Sequence, residues 1–140
     1  MSVPVIVRNH GTFRCEIEAG PHTIIADEPK SAGGNDEGPT PYDLLAAALG
    51  ACTSMTLHFY AQREKIPLEG VEATIANDRM HARDCAACMT TAGFIHRFDV
   101  KLKLLGDLTA EQREKLLAIA RRCPVYKTLT SEIRIEESLV

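Results

Sequence analysis

Cysteines at positions 15, 52, 85, 88 and 123 are the residues of this 140-residue chain with the most chemistry open to them. An odd number is a poor disulfide framework in a chain expected to stay in a reducing compartment. Each thiol is therefore expected to be free, either a small buried hydrophobe or a reactive centre. Cys52 lies within Leu49-Gly50-Ala51-Cys52-Thr53-Ser54-Met55-Thr56-Leu57. By residue type alone it reads as buried. Its helical neighbours Ala48, Leu49, Met55 and Thr56 carry no charge. Arg63 would stand roughly 16 Å further along a helix axis, too far to hold a thiolate. A reactive Cys52 would have to take its cation from another element or another subunit. Cys123 follows Arg121-Arg122, precedes Pro124, and has Lys127 close behind. If Pro124 opens a new helical turn, Cys123 sits at a helix N-terminus, where the dipole and nearby cations lower a thiol pKa. Otherwise it merely marks where a helix stops.

A second cluster is His81-x-x-x-Cys85-x-x-Cys88. On a helix these three would share one face. Two thiolates and an imidazole suit zinc, and Cys-x-x-Cys can also cycle as a dithiol. Zinc wants four ligands and only three are local, and no strand–helix context of a thioredoxin-like motif surrounds the pair. A metal site, a redox pair and no special role all stay open.

The elements that must position these groups are legible from periodicity. Residues 3–27 read as strands, with turns at Asn9-His10-Gly11 and Ala19-Gly20-Pro21. In the second strand Phe13, Cys15 and Ile17 alternate with Arg14, Glu16 and Glu18, leaving Arg14 on the solvated side. Residues 28–41 are a Gly/Pro-rich loop without the Lys-Ser/Thr of a phosphate-binding loop. Thr40-Pro41-Tyr42-Asp43 opens a helix by a capping box and should carry it to about Lys65, ahead of Pro67. That helix is apolar almost all round from Leu44 to Leu57, more than one small domain can cover, which predicts burial by a second subunit. Val71, Ala73 and Ile75 mark a half-buried strand. Phe94, His96, Phe98, Val100, Leu102 and Leu104 mark the inward face of a longer one. Thr109-Ala110-Glu111-Gln112 caps another helix, with Leu116, Leu117, Ile119 and Ala120 inward. Ile133 and Ile135 suggest a last strand. The order is that of one α+β domain spanning 1–140.

Composition narrows the function classes. Aromatic residues are 5% with no Trp, the net charge is −3, and no basic run exceeds two residues, so a nucleic-acid footprint is not expected. The stretch from Leu44 to Tyr60 contains Thr53, Ser54, Thr56 and His58 and is shorter than the ~20 apolar residues of a membrane span. The N-terminal residues lack the charged and apolar regions of a leader. A cytoplasmic protein without a membrane partner is expected.

Thr40-Pro41-Tyr42-Asp43-Leu44-Leu45, the segment around Cys52, and Arg122-Cys123-Pro124-Val125-Tyr126-Lys127-Thr128-Leu129 resemble the OsmC/organic-hydroperoxide-resistance family, and Asp27-Glu28-Pro29 and Gly33-Gly34 fit as well. The resemblance covers nearly the whole chain in order. It implies an intertwined homodimer in which two β-sheets flank two long central helices. It also implies a stress-response thiol peroxidase: Cys52 attacks an organic hydroperoxide, Cys123 resolves the sulfenic acid as a Cys52–Cys123 disulfide, and a lipoyl-like dithiol resets the pair. No cofactor is required by that chemistry. Family members hold the thiolate with a glutamate just after the helix-opening proline and an N-terminal arginine. Here Tyr42 follows Pro41, so Asp43 and Arg14 are the nearest supporting candidates, and the chain resembles the broader OsmC-like branch. The alternatives are a non-enzymatic dimer whose cleft holds a small apolar ligand, and a zinc or redox protein centred on His81, Cys85 and Cys88.

Overall fold

The computed structural model describes residues 3–140; Met1 and Ser2, part of the N-terminal segment read above for a leader, lie outside it. The chain divides into two compact units, residues 1–45 and 46–140.

In the first unit β1 (Ile6–Asn9), β2 (Cys15–Ala19) and β3 (His22–Ala26) form an antiparallel meander in the order β1-β2-β3. Its turns fall where Gly11 and Gly20 take positive φ, at 74° and 59°. β2 alternates as its sequence demands, with Cys15, Ile17 and Ala19 half-buried and Glu16 and Glu18 exposed. Beyond β3 the loop is organised by the buried Asp27. Its carboxylate accepts from the backbone N–H groups of Glu28 (2.8 Å), Asn35 (3.3 Å) and Glu37 (3.2 Å). Burial opposes ionisation of this carboxyl, but those N–H groups and nearby Arg14 outweigh it and hold the pKa below the ordinary carboxylate value. Gly34 has to be glycine: a Cβ there would lie 2.0 Å from the Glu28 carbonyl oxygen.

The capping box forms as its sequence specifies. Thr40 N–H donates to Asp43 Oδ2 at 3.0 Å, and Asp43 N–H donates to Thr40 Oγ1 at 3.2 Å. It opens α1 (Pro41–Arg63), a helix of 23 residues. Contrary to expectation, α1 is long and apolar enough to cross a membrane by length and composition, its most apolar window having mean hydropathy 1.4.

In the second unit β4 (Gly70–His81) and β5 (Phe94–Leu105) pair antiparallel over their full length, Gly70 opposite Leu105 and His81 opposite Phe94. Helices α2 (Ala110–Ala120) and α3 (Pro124–Leu129) follow. One face of α1 packs inward through Leu49, Gly50, Thr53, Leu57 and Ala61, a 3–4 residue spacing. Leu57, Ala61, Leu116 and Ile119 form the core, with Val71, Leu102, Leu104 and Leu108 packed against it. Gly50 lets α1 approach β4 closely, since a Cβ there would be 2.6 Å from Ile75 Cδ1.

Several expectations are corrected. Leu117 is 62% exposed, because α2 turns only Leu116 and Ile119 fully inward. The inward face of β5 begins at Phe98; Phe94 and His96 are exposed because the hairpin end projects past the residues that could cover it. Residues 131–140 form no strand and are exposed throughout, Ile133 and Ile135 included, since no strand among the described residues pairs with them.

Candidate active site

Cys52 rides on the middle of α1, half-buried, one residue before the inward-facing Thr53. Cys123 is fully buried at the N-cap of α3, directly before Pro124 at the first helical position. The new helical turn after α2 is therefore real, and it brings the two cysteines, distant in sequence and both free thiols, close enough to shift each other's ionisation.

The two thiols are shifted in opposite directions. Burial opposes charge on Cys123, but the Cys52 side chain, the Tyr126 N–H, the Thr53 hydroxyl and the Val125 N–H outweigh that and lower its pKa. The Tyr126 N–H lies 3.4 Å from Cys123 Sγ. Cys52 is shifted the other way: burial raises its pKa and donation to Cys123 raises it further, against smaller help from the Val125 N–H and Thr56. The Val125 and Tyr126 N–H groups are first-turn donors of α3, which no intrahelical carbonyl can satisfy, and they are aimed at sulfur instead.

This corrects the expected cause of the Cys123 shift. Arg121, Arg122 and Lys127 are exposed, and the shift comes chiefly from hydrogen bonds rather than from those cations. The raised pKa of Cys52 is as its uncharged helical surroundings predict. Thr53 was not among the residues anticipated from sequence. A signal existed, because a threonine on the buried face of a helix needs a partner for its hydroxyl.

The two thiols titrate as a pair, with ionisation favoured at Cys123. Cys52 is the more exposed residue of the two. Beside it Thr56 also lines a cavity of about 170 Å³ with Phe59, Tyr60, Arg63, Ile119 and Arg122.

The supporting candidates lie in the first unit. Arg14, immediately before β2, lies on the solvated side as read from the alternation, in ion pairs with Glu16 (3.0 Å) and Glu37 (3.5 Å), and its pKa is raised chiefly by the Glu16 hydrogen bond. Asp43 is engaged by the α1 cap. The His81, Cys85, Cys88 segment is not an α-helix but a single 3-10 turn, Ala82–Asp84, followed by a tight turn. His81 closes β4 and its ring stacks on Phe94 with centroids 4.4 Å apart, while Cys85 and Cys88 form a disulfide. Among the described residues no group of three or more His, Cys, Asp or Glu is arranged to hold a metal ion. The expectation that all five thiols are free is corrected by the disulfide.

A sequence profile described as OsmC-like protein matches residues 33–138, which include both cysteines of the pair. The chain belongs to the OsmC-like family. Solved structures with the same fold include an organic hydroperoxide resistance protein from Legionella pneumophila, 24% identical with TM-score 0.65, covering 91% of this chain and 90% of that one. An OsmC-like protein from Mycoplasma pneumoniae is 17% identical with TM-score 0.73, covering 92% and 87%. An organic hydroperoxide resistance protein from Elizabethkingia anophelis is 20% identical with TM-score 0.66, covering 93% and 90%. Among curated proteins none matches. The OsmC-like α+β fold, two small sheets with helices, is thereby established for the chain.

Proposed function

We propose that this OsmC-like protein is a cytoplasmic thiol peroxidase for organic hydroperoxides, with Cys52 the attacking sulfur and Cys123 the resolving one. The observation that carries this reading is the pairing of the half-buried Cys52 on α1 with the buried Cys123, of lowered pKa, at the N-cap of α3. Loss of one proton leaves the charge on Cys123, and transfer of the Cys52 proton to Cys123 places it on Cys52 at the moment of attack. The Cys52 thiolate takes the terminal peroxide oxygen, the O–O bond breaks, and the alkoxide leaves as alcohol after taking a proton. The resulting sulfenic acid meets Cys123; an S–S bond forms and water departs. A dithiol of the lipoyl type returns two electrons and two protons. The apolar side of the cavity, Phe59, Tyr60 and Ile119, favours an organic peroxide over hydrogen peroxide.

An obligate homodimer belongs to the same reading. Opposite the core, α1 exposes Ala48, Ala51, Met55 (70%) and Phe59 (70%), a stripe at 3–4 residue spacing that a second copy's α1 would cover. The unpaired Ile133 and Ile135 segment offers an extended strand to a partner's sheet edge.

The test is steady-state consumption of tert-butyl hydroperoxide with a lipoyl dithiol as reductant. Wild type should turn over and Cys52→Ser should not. Undiminished turnover in Cys52→Ser would remove Cys52 from the reaction.

A further inference from the structure

We propose that Cys85 and Cys88 form a second redox centre, a reversible dithiol–disulfide pair at the tip of the β4–β5 hairpin that an external dithiol reduces independently of Cys52 and Cys123. The two sulfurs are joined in a disulfide across a single tight turn, with Cα atoms 5.4 Å apart. The turn is built by Cys85 N–H donating to the Ala82 carbonyl at 3.1 Å and Cys88 N–H to the Cys85 carbonyl at 3.3 Å. Buried Ala82 anchors it, its N–H donating to the Gly93 carbonyl at 2.8 Å.

A structural staple is a poor explanation. Disulfide stabilisation grows with the loop closed, and this loop spans a sequence separation of only 3. The hairpin is already closed at its end by the His81–Phe94 pair, so the bond is not needed to bring its strands together. The site is open to attack instead. Both cysteines are half-buried while Arg83, Asp84, Ala86, Ala87 and Met89 around them are exposed, Met89 at 98%. His81 is stacked on Phe94, which leaves the sulfurs to each other.

Distance makes the pair independent. Gly50, one half-turn of α1 from Cys52, abuts Ile75 of β4. From Ile75 the strand continues to His81, roughly 20 Å at ~3.3 Å per residue, before the disulfide loop begins. Direct exchange with the Cys52–Cys123 pair of the same chain is out of reach. The step is ordinary thiol–disulfide exchange. One thiolate of an external dithiol attacks one sulfur, and the other leaves as a thiolate and takes a proton. The reductant's second thiol then closes its own disulfide, releasing the second cysteine. The dithiol is oxidised by two electrons and the Cys85–Cys88 bond is reduced by two.

The test equilibrates the full-length protein in buffers of graded reduced-to-oxidised dithiothreitol, quenches with acid, alkylates and digests with trypsin. The peptide spanning residues 84–97 carries Cys85 and Cys88 and no other cysteine. It should gain both alkyl groups together in one transition, reverse on reoxidation, and do so at the same ratio in wild type and in Cys52→Ser/Cys123→Ser. Full alkylation at the most oxidising ratio, single alkylation, or a transition that moves in the double variant would overturn the proposal. So would zinc taken up by the reduced protein at one per chain with protection from alkylation, which would make the segment a metal site. Peroxide turnover in Cys85→Ser/Cys88→Ser should stay within about twofold of wild type, and its loss would overturn the independence of the two pairs. Failure of the peroxidase reading itself would show only in turnover and would leave the alkylation transition unchanged.

Discussion

Replacing Thr53 by Val removes one hydroxyl from the site and almost nothing else, because the side chains have nearly the same shape. Thr53 is 3% exposed, and its hydroxyl is one of the groups lowering the Cys123 pKa. A hydrogen bond to a charged group is worth about 1.5–3 kcal/mol, and 1.36 kcal/mol is a tenfold change in a protonation equilibrium. Below the midpoint of the pair's first ionisation, the thiolate fraction should therefore fall about tenfold or more in Thr53→Val. The sign follows from the direction of the shift. Cys123 keeps its charge to lower pH than an ordinary thiol, so losing a donor moves the rising limb of reactivity toward higher pH. The assay is single-turnover oxidation by an organic hydroperoxide in rapid mixing, from pH 5 to 10. Thr53→Val should show a limb displaced upward with the same plateau rate at high pH, and Thr53→Ser should restore the wild-type limb. A folded Thr53→Val variant with an unmoved pH profile would refute the role of this hydrogen bond.

Leu57→Ala should cost about 2–5 kcal/mol in denaturant unfolding, since Leu57 is fully buried at the centre of the core and the cavity left cannot close; a loss below about 1 kcal/mol would mean that the site is collapsible. Met55→Glu with Phe59→Glu should convert a dimer into monomers or soluble aggregates in light scattering, and an unchanged assembly would place the interface elsewhere. Asp27→Asn should lower the thermal midpoint at pH 7 and flatten its acid dependence. Because the folded-state pKa of Asp27 is depressed, its contribution is present above the ordinary carboxylate value and is lost as pH falls through the folded value. A wild-type-like acid slope in Asp27→Asn would assign acid sensitivity to other carboxylates.

Local chemistry was the most legible part of the sequence. Thr40 and Asp43 specify a reciprocal cap that needs no tertiary context, and the structure forms it. Thr109 and Gln112 do the same for α2. Alternation placed β2 and the lower halves of β4 and β5, where burial follows the pleat. It failed at Phe94 and His96 because periodicity records which residues would share a face, not whether anything covers that face. Ile133 and Ile135 fail for the related reason that a strand needs a neighbour. For the Cys85–Cys88 segment the sequence left a metal site, a redox pair and no role open, because an i, i+3 separation is met by a helix face and by the tight turn found here alike. Within the candidate site, the two motifs pointed to Cys52 and Cys123. The lowered pKa of Cys123 depends on Thr53 from α1 and Tyr126 from α3 meeting at its sulfur, which no linear spacing encodes.

The most direct measurement of the central claim is a peptide map after one equivalent of organic hydroperoxide, with cysteines alkylated before digestion. The peptides carrying Cys52 and Cys123 should become joined by an intramolecular disulfide that dithiol reverses. In Cys123→Ser the same treatment should leave a sulfenic acid on Cys52, which over-oxidises at high peroxide. Recovery of Cys52 and Cys123 as separate alkylated peptides from protein that has consumed peroxide would contradict the account.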